Sequence, residues 1–379
     1  MKAVFIIDHL RPDGTQAVLV QLVTGLACKG HTQAVICLND SWDSEVVNQI
    51  SEAGAEVRII GKVALTSGYG ICSLLRYLQR ERFDVAITFL HVSDVLGRVL
   101  ANWAQIPRIV SSLRARNVNY SRIQRFLVRM TINVADTIVI NTRLAREFAI
   151  IEEGARPDRV RVIPNGVNVE SFSDSISQEL LREKLSLPKT GWLLGTVGRL
   201  TKQKGIDILL RALVSVRNSD FNLLIFGSGE DETSLRAIAI KLGLESRVKF
   251  AGYRQDLSTL LGALDVYVHP ARFEGMPNAV LEAMAAACPI VATAVDGVCE
   301  LIEDGTHGWL VPPEAPEKLA KAIDQILGDL PEARRRAELA RERVRKHFSV
   351  EAMVDAWEEV LTSGKSHSYS TVPCVNDVR

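Results

Sequence analysis

Two glutamates eight residues apart, Glu274 and Glu282, bracket the chain's densest run of chemically useful residues, Phe273-Glu274-Gly275-Met276-Pro277-Asn278-Ala279-Val280-Leu281-Glu282-Ala283-Met284. Gly275 and Pro277 keep a helix from running through it. Asn278 is placed to cap a new helix, which continues through Ala287 and stops before Pro289. Glu274 then falls on a loop after the strand Val266–His269, and Glu282 lies one turn into the helix. Free amides at a helix start favour an anion. Carboxylates on either side of them suit an anionic ligand with hydroxyl groups at both ends. A nucleotide sugar has that form: sugar, diphosphate, ribose. The plainer alternative is a capped helix with incidental acids.

A second segment, Gly195-Thr196-Val197-Gly198-Arg199-Leu200-Thr201-Lys202-Gln203-Lys204-Gly205, follows a strand and opens a helix. Arg199 and Lys204 lie five apart across a short turn and can both reach one cleft. Two fixed cations would neutralise a departing diphosphate, where preorganised charge is most valuable. The alternative is a solvated basic loop, which is the reading that fits Lys202. Asp13-Gly14-Thr15 lies between the strand Ala3–Ile7 and a helix through Leu19–Leu26. Glycine there lets a phosphate or sugar approach the backbone. His91 comes just after the strand Val85–Phe89. Like His9 and His269 it can also be an ordinary histidine near a strand end.

Several common devices are absent. Gly227-Ser228-Gly229 is followed by Glu230-Asp231-Glu232, three acids where a dinucleotide's pyrophosphate would lie, so they read better as first-turn acids of the next helix. There is no GxxxxGK[ST], HExxH or GxSxG. No two aspartates are separated by one residue, so the Asp-x-Asp device that binds a metal–diphosphate pair is missing. No metal cofactor is expected, and cationic side chains would take its place.

These residues must be positioned by the elements around them. The 379 residues are enough for about two domains. Hydrophobic residues make up 47% and charged residues 24%, an ordinary globular balance that excludes collagen-like, coiled-coil and disordered chains. Lys plus Arg and Asp plus Glu each number 45, so nothing marks a nucleic-acid binder. No apolar run is long enough to span a bilayer, and Ala3–Ile7 is too short for a signal-peptide core. The six scattered cysteines are expected to be reduced, mostly in the core, in a cytoplasmic protein.

Apolar runs alternate with helical patterns: Ala3–Ile7, Ala34–Leu38, Glu56–Ile60, Val85–Phe89, Arg108–Ser112 and Thr137–Ile140, then Trp192–Val197, Asn222–Phe226, Arg247–Ala251, Val266–His269 and Ile290–Thr293. Strands apolar throughout and alternating with amphipathic helices predict parallel sheets covered on both faces. The fold class expected is α/β, with two doubly wound, Rossmann-like domains facing across a cleft. The polar stretch 171–190 marks the break. The division is 1–172, 173–345, a helix at 346–362 returning to the first domain, and a flexible tail at 363–379. Ligands of such sheets bind beyond the carboxyl ends of the strands.

Glu274-x7-Glu282, Gly198-Arg199-Leu200 with Lys204-Gly205, and Arg161-Val162-Ile163-Pro164-Asn165-Gly166-Val167 together resemble the retaining GT-B glycosyltransferases of family 4. Gly227-Ser228-Gly229, Phe250-Ala251-Gly252-Tyr253 and Gly308-Trp309-Leu310-Val311-Pro312-Pro313 fit as well. The resemblance implies that Arg199 and Lys204 bind the donor diphosphate, Glu282 the ribose and Glu274 the donor sugar. It implies that Gly198, Gly275, Met276 and Pro277 shape the donor site and that amides near Asn278, Ala279, Val280 and Leu281 meet the donor. His91 would contact the sugar near the reacting carbon, Tyr253-Arg254 would lie beside the base, and Gly14 would face donor or acceptor. His91, Arg199, Lys204 and Glu274 would form the catalytic set. Asp13 stands where the family often has a first glycine. The resemblance also implies internal return, with the leaving phosphate as base, and a UDP-linked hexose or N-acetylhexosamine donor.

Arg108, Arg114, Arg116, Arg122, Arg125 and Arg129 fall in one stretch without an acid. Arg122, Arg125 and Arg129 share a helical face, and Ile123, Phe126, Leu127 and Met130 share the other. A basic amphipathic helix reads as a membrane-surface element or acidic-ligand site, or as a solvated face over a core stripe. The family's N-terminal domain binds acceptor. The expected partners are therefore a glycan or polyprenyl-diphosphate-linked acceptor and an anionic membrane surface, in assembly of cell-surface polysaccharide, lipopolysaccharide or glycolipid. The competing functions are a Rossmann-type oxidoreductase, which leaves Glu274 and Glu282 unused, and a non-catalytic sugar-nucleotide sensor.

Overall fold

The structure, a computed structural model, describes residues 1–114, 120–172, 177–188, 190–218, 220–254 and 256–363. Arg116 and nearly all of the expected flexible tail lie outside them. The first half contributes β1 (Lys2–Ile7), β2 (Thr32–Cys37), β3 (Glu56–Ile59), β4 (Val85–Phe89), β5 (Arg108–Leu113), β6 (Thr137–Ile140) and β7 (Val160–Val162). The second contributes β8 (Trp192–Val197), β9 (Phe221–Phe226), β10 (Val248–Gly252), β11 (Val266–His269), β12 (Ile290–Thr293) and β13 (Trp309–Val311). The sheets run β3-β2-β1-β4-β5-β6-β7 and β10-β9-β8-β11-β12-β13. Every pairing is parallel, for instance Phe5 with Ile87 and Leu194 with Val266. The chain therefore folds as two Rossmann-like domains.

Burial explains the run-like strands. The interior of each domain lies on both faces of its sheet, so alternate residues of one strand enter different cores. Phe5 and Ile7 join one cluster, Val4 and Ile6 the other. Composition does not mark β7 and β13 as strands. With three residues each, they carry no periodicity and are held by neighbours already in place.

The strand order reverses between β1 and β4 and again between β8 and β11. At such a switch the loops after adjacent strands diverge to opposite faces and open a crevice at the carboxyl edge. The loops after β1, β4, β8 and β11 carry Asp13-Gly14, His91, Arg199–Lys204 and Glu274.

Two connections join the halves and run side by side. Residues 163–172 lead out of the first domain, and the chain returns at Phe348–Ser349. Val167 donates its amide to the Phe348 carbonyl at 2.9 Å and bridges Ser349. The helix Leu330–His347 packs on the second domain, where Ala340 and Val344 enter the core. The helix Val350–Thr362 packs on the first: Trp357 is completely buried there and stacks on Phe89 at 6.2 Å between centroids.

The cysteine expectation needs correction. Cys37 and Cys288 are buried, but Cys28, Cys72 and Cys299 are exposed because they lie on the outer sides of helices; all five are free. No described helix is long and apolar enough to cross a membrane.

Candidate functional site

A cavity of about 760 Å³ lies between the two carboxyl edges and is lined from both domains. Its second-domain wall includes Gly198, Arg199, Lys204, Tyr253, Arg254 and Glu274, then Gly275, Met276, Pro277, Asn278, Ala279 and Glu282. Gly14 and Arg114 line it from the first domain.

Lys204 is set by the turn that ends at Gly205. That glycine has φ +64°, and a Cβ on it would lie 2.0 Å from the Pro270 carbonyl oxygen, so no other residue fits there. The turn delivers the Lys204 ammonium to Glu274 Oε1 at 2.5 Å, inside the cavity wall. Burial alone would raise the Glu274 pKa, but Lys204 and then His269 outweigh it and hold the carboxyl at about 2. His269 Nε2 lies 3.3 Å from the same oxygen, and its Nδ1 lies 3.2 Å from the Tyr267 hydroxyl. Glu274 is thus a permanently ionised carboxylate braced from behind. Arg199 is more exposed and meets the Asp13 carboxylate of the first domain at 3.6 Å.

Glu282 is the opposite case. Burial pushes its pKa up to about 7, and among the described residues no cation pulls it back. A carboxyl in that state readily binds hydroxyl groups, as donor when protonated and acceptor when ionised.

The Glu274 loop is held by close backbone packing. Gly297, in the short helix Asp296–Leu301, carries no Cβ because one would sit 1.6 Å from the Gly275 carbonyl oxygen. The following helix runs from Asn278 to Ala285. Asn278 does not cap it, contrary to the sequence reading. Pro277 occupies that position, and the Asn278 side chain spans the cleft instead. Its Oδ1 accepts from Asn165 Nδ2 at 2.7 Å and its Nδ2 donates to the Gly14 carbonyl at 3.1 Å. Asn165 also accepts from Arg114 Nη2 at 2.7 Å. This relay ties both domains and the inter-domain segment together.

Other expectations are redrawn by the geometry. Val280 and Leu281 are fully buried in the second domain's core and donate their amides to the Pro277 carbonyl, so the turn open to the cavity is Asn278 and Ala279. His91 is not among the lining residues. Its ring meets Tyr120 edge-on at 4.5 Å, and Tyr120 takes the place on the wall. Arg254 lines the cavity but spends its guanidinium on Asp256, at 2.8 and 2.6 Å, whereas Tyr253 stands exposed beside it.

The arginine stretch is not one patch. Arg108 is buried in β5. Arg114 reaches the cavity, where it donates to the neutral Asn165 and Ser112 side chains, and burial lowers its pKa to about 10. Arg122, Arg125 and Arg129 lie away from the cavity on the helix Arg122–Thr131, which a Ser121/Gln124 capping box begins. Its apolar residues form no core stripe. Ile123 is 73% exposed, Phe126 61% and Met130 66%, and only Val128 of the helix is buried.

The sequence reading missed Asp94, Tyr120, Asn141 and Gln203, all on the wall, and gave Asn165 no role. Among the described residues no group of three or more His, Cys, Asp or Glu side chains is arranged to hold a metal ion.

Comparison with known proteins follows the same division. A family model described as glycosyl transferases group 1 matches residues 177–343, and one described as Glycosyltransferase Family 4 matches 12–171. The lipopolysaccharide core biosynthesis glycosyltransferase LpsE of Rhizobium meliloti is 34% identical over 94% of this chain and 98% of its own length. The Escherichia coli UDP-Gal:alpha-D-GlcNAc-diphosphoundecaprenol alpha-1,3-galactosyltransferase is 27% identical over 68% of this chain and 70% of its own. Among solved structures, Anabaena HepE in complex with UDP and glucose superposes with a TM-score of 0.85 at 21% identity, covering 96% of this chain and all of that one.

Proposed function

The chain belongs to the group 1 glycosyltransferases of family 4 and has their GT-B fold, and from that premise we propose that it transfers a hexose or N-acetylhexosamine from a UDP-linked donor to a lipid-linked or glycan acceptor, with retention and without a metal. The observation that carries this reading is one cavity gathering Arg199, Lys204, Glu274 and Glu282 at the edges of two switch points. Arg199 and Lys204 take the diphosphate, exchanging their carboxylate partners for phosphate oxygens. Glu282 holds the ribose, Glu274 the donor sugar, and the turn at Asn278 and Ala279 meets the phosphates. Tyr253 flanks the base. The donor named for the Escherichia coli relative supports the choice of UDP, and that relative's acceptor and LpsE's role support lipid-linked or lipopolysaccharide acceptors.

In the transfer step the bond between the anomeric carbon and the diphosphate oxygen breaks. The acceptor oxygen bonds to that carbon from the same face, and the acceptor's proton passes to the leaving phosphate. Lys204 and Arg199 stabilise the charge that gathers there. The helix Arg122–Thr131 adds the acceptor's setting: exposed apolar residues beside three arginines and no acid suit an anionic membrane surface, on the cytoplasmic side where nucleotide sugars are held.

The test is release of UDP, GDP and ADP from a panel of nucleotide sugars, with lipid-linked saccharide extract as acceptor, with and without EDTA. UDP release that requires the extract and survives EDTA is expected. Acceptor-dependent release of another nucleotide overturns the donor assignment, loss in EDTA restored by Mn²⁺ overturns metal independence, and no transfer from any donor overturns the reading.

A further inference from the structure

The first-domain wall of the cavity carries a buried carboxylate that none of these roles uses. Asp94 is 4% exposed and lines the cavity. The turn that presents it is held in an unusual shape. Leu90 has φ +75°, rare for a leucine, and strain of this kind collects at functional sites. Asp8, at the end of β1, then grips the turn: Val92 and Ser93 donate their amides to its carboxylate at 3.0 and 2.6 Å. Ser93–Gly97 form a π-turn, a feature frequent at functional sites. The result puts Asp94 on the wall while His91, three residues earlier, lies against Tyr120 off it.

Asp94 is also fixed from behind. Thr88 donates to its Oδ1 at 2.5 Å, and Arg98 Nη2 lies 3.4 Å from the same oxygen. Both partners address Oδ1, which leaves Oδ2 for a ligand. The cations and glutamates assigned to the donor all come from the second domain, so the acceptor must approach along the first. We propose that Asp94 accepts a hydrogen bond from an acceptor hydroxyl and orients the acceptor toward the donor sugar. This rests on the glycosyl-transfer reading. Asp94 takes no proton in the step; it binds and aims.

The charge environment gives the role a signature. Burial raises the Asp94 carboxyl to about 7, although Arg98 on the adjoining helix and Thr88 on β4 pull it down; Asp8 just after β1 and Glu153 after the helix Arg143–Ile151 push it the same way as burial. Tyr120 also faces this group, and its hydroxyl is raised by burial and by the same acids. Acceptor binding should therefore weaken as pH falls through about 7, where Asp94 protonates.

The test uses Asp94→Asn with a UDP-sugar and lipid-linked saccharide extract. Transfer at limiting acceptor should fall about 10²-fold, as for loss of a charged hydrogen bond at a reacting group. The ratio of transfer to donor hydrolysis should fall with it, the acid limb near pH 7 should flatten, and UDP affinity should stay within about twofold. Arg98 loses its counterion in this variant. If it melts early, Asp94→Asn/Arg98→Met removes both charges of the buried pair and replaces it in every assay. A folded variant with parental transfer overturns the proposal. So does equal loss of transfer and UDP binding, the mark of a purely structural carboxylate. If the parent itself transfers no sugar, the transferase reading fails instead.

Discussion

Lys204 and Arg199 differ in how much each is asked to do. Lys204 is locked against Glu274 inside the wall, whereas Arg199 is 60% exposed and reaches across to Asp13. If both stabilise a departing diphosphate, Lys204→Ala should lower kcat by about 10²–10³, the cost of one preorganised transition-state donor. Arg199→Ala should lose less, because solvent screens it. Steady-state kinetics with the identified donor decide this, and near-parental kcat in both variants would remove them from the chemistry. Glu282 makes a second prediction, in stability. Its folded pKa, about 7, lies above the ordinary carboxylate value, so its ionised form destabilises the folded state increasingly as pH rises from about 4.5 to 7, and fully above that. After discounting for water in the cavity, the penalty is about 1–2 kcal/mol at pH 8. Glu282→Gln should therefore melt about 2–4 °C higher than the parent at pH 8. It should match the parent near pH 4.5 and bind UDP at least tenfold more weakly. Equal melting at pH 8 would show that the carboxylate is not strained. Both glutamates were legible from sequence because Gly275, Pro277 and Pro289 punctuate the segment locally. Asp94 was not: its place depends on Asp8, Thr88 and Arg98, which only the assembled sheet brings together. Asn278 shows the same limit, since a cap and a cross-cleft amide need the same residue type.

At the scale of the element, the two sheets could be read from composition because doubly covered strands are apolar on both sides, and β4, β6, β8, β11 and β12 have the predicted ends. The helix Arg122–Thr131 shows what periodicity leaves out. Its amphipathic pattern is real, but nothing in a helical period says which face meets protein, and here the apolar face meets solvent as the basic one does. Removing that face is a sharper test than removing charge. Phe126→Ser/Met130→Ser should reduce sedimentation with anionic liposomes tenfold or more, since a buried large apolar side chain contributes about 1.5–3 kcal/mol. Arg122→Glu/Arg125→Glu/Arg129→Glu should do the same at low salt, where each arginine adds up to about 1 kcal/mol. UDP affinity should be unchanged in both. Liposome binding equal to the parent's in the two variants would leave this helix without a membrane role.

At the scale of the molecule, the first domain keeps its last helix at the far end of the chain. Trp357, Met353 and Val354 fill a first-domain cluster that also holds Phe89 and Leu22. A chain ending after Phe348 would open that cluster, losing about 3–5 kcal/mol for the tryptophan alone. We expect it to expose the first domain to limited proteolysis while the second stays resistant, which a digestion time course with mass spectrometry would show. Cleavage no faster than in the parent would mean that the helix is dispensable.

The paired connections at Val167 and Ser349 make the second domain, topologically, an insertion into the first. Its two points of entry and exit are hydrogen-bonded neighbours, so the gap left by taking it out is already closed. A gene coding for residues 1–166 joined by a short linker to 350–362 therefore describes a single module with its own core, and second domains are exchangeable at this one seam. The same seam constrains motion. Two adjacent straps permit rotation about the line between them and resist twist, so opening of the cleft should have essentially one degree of freedom.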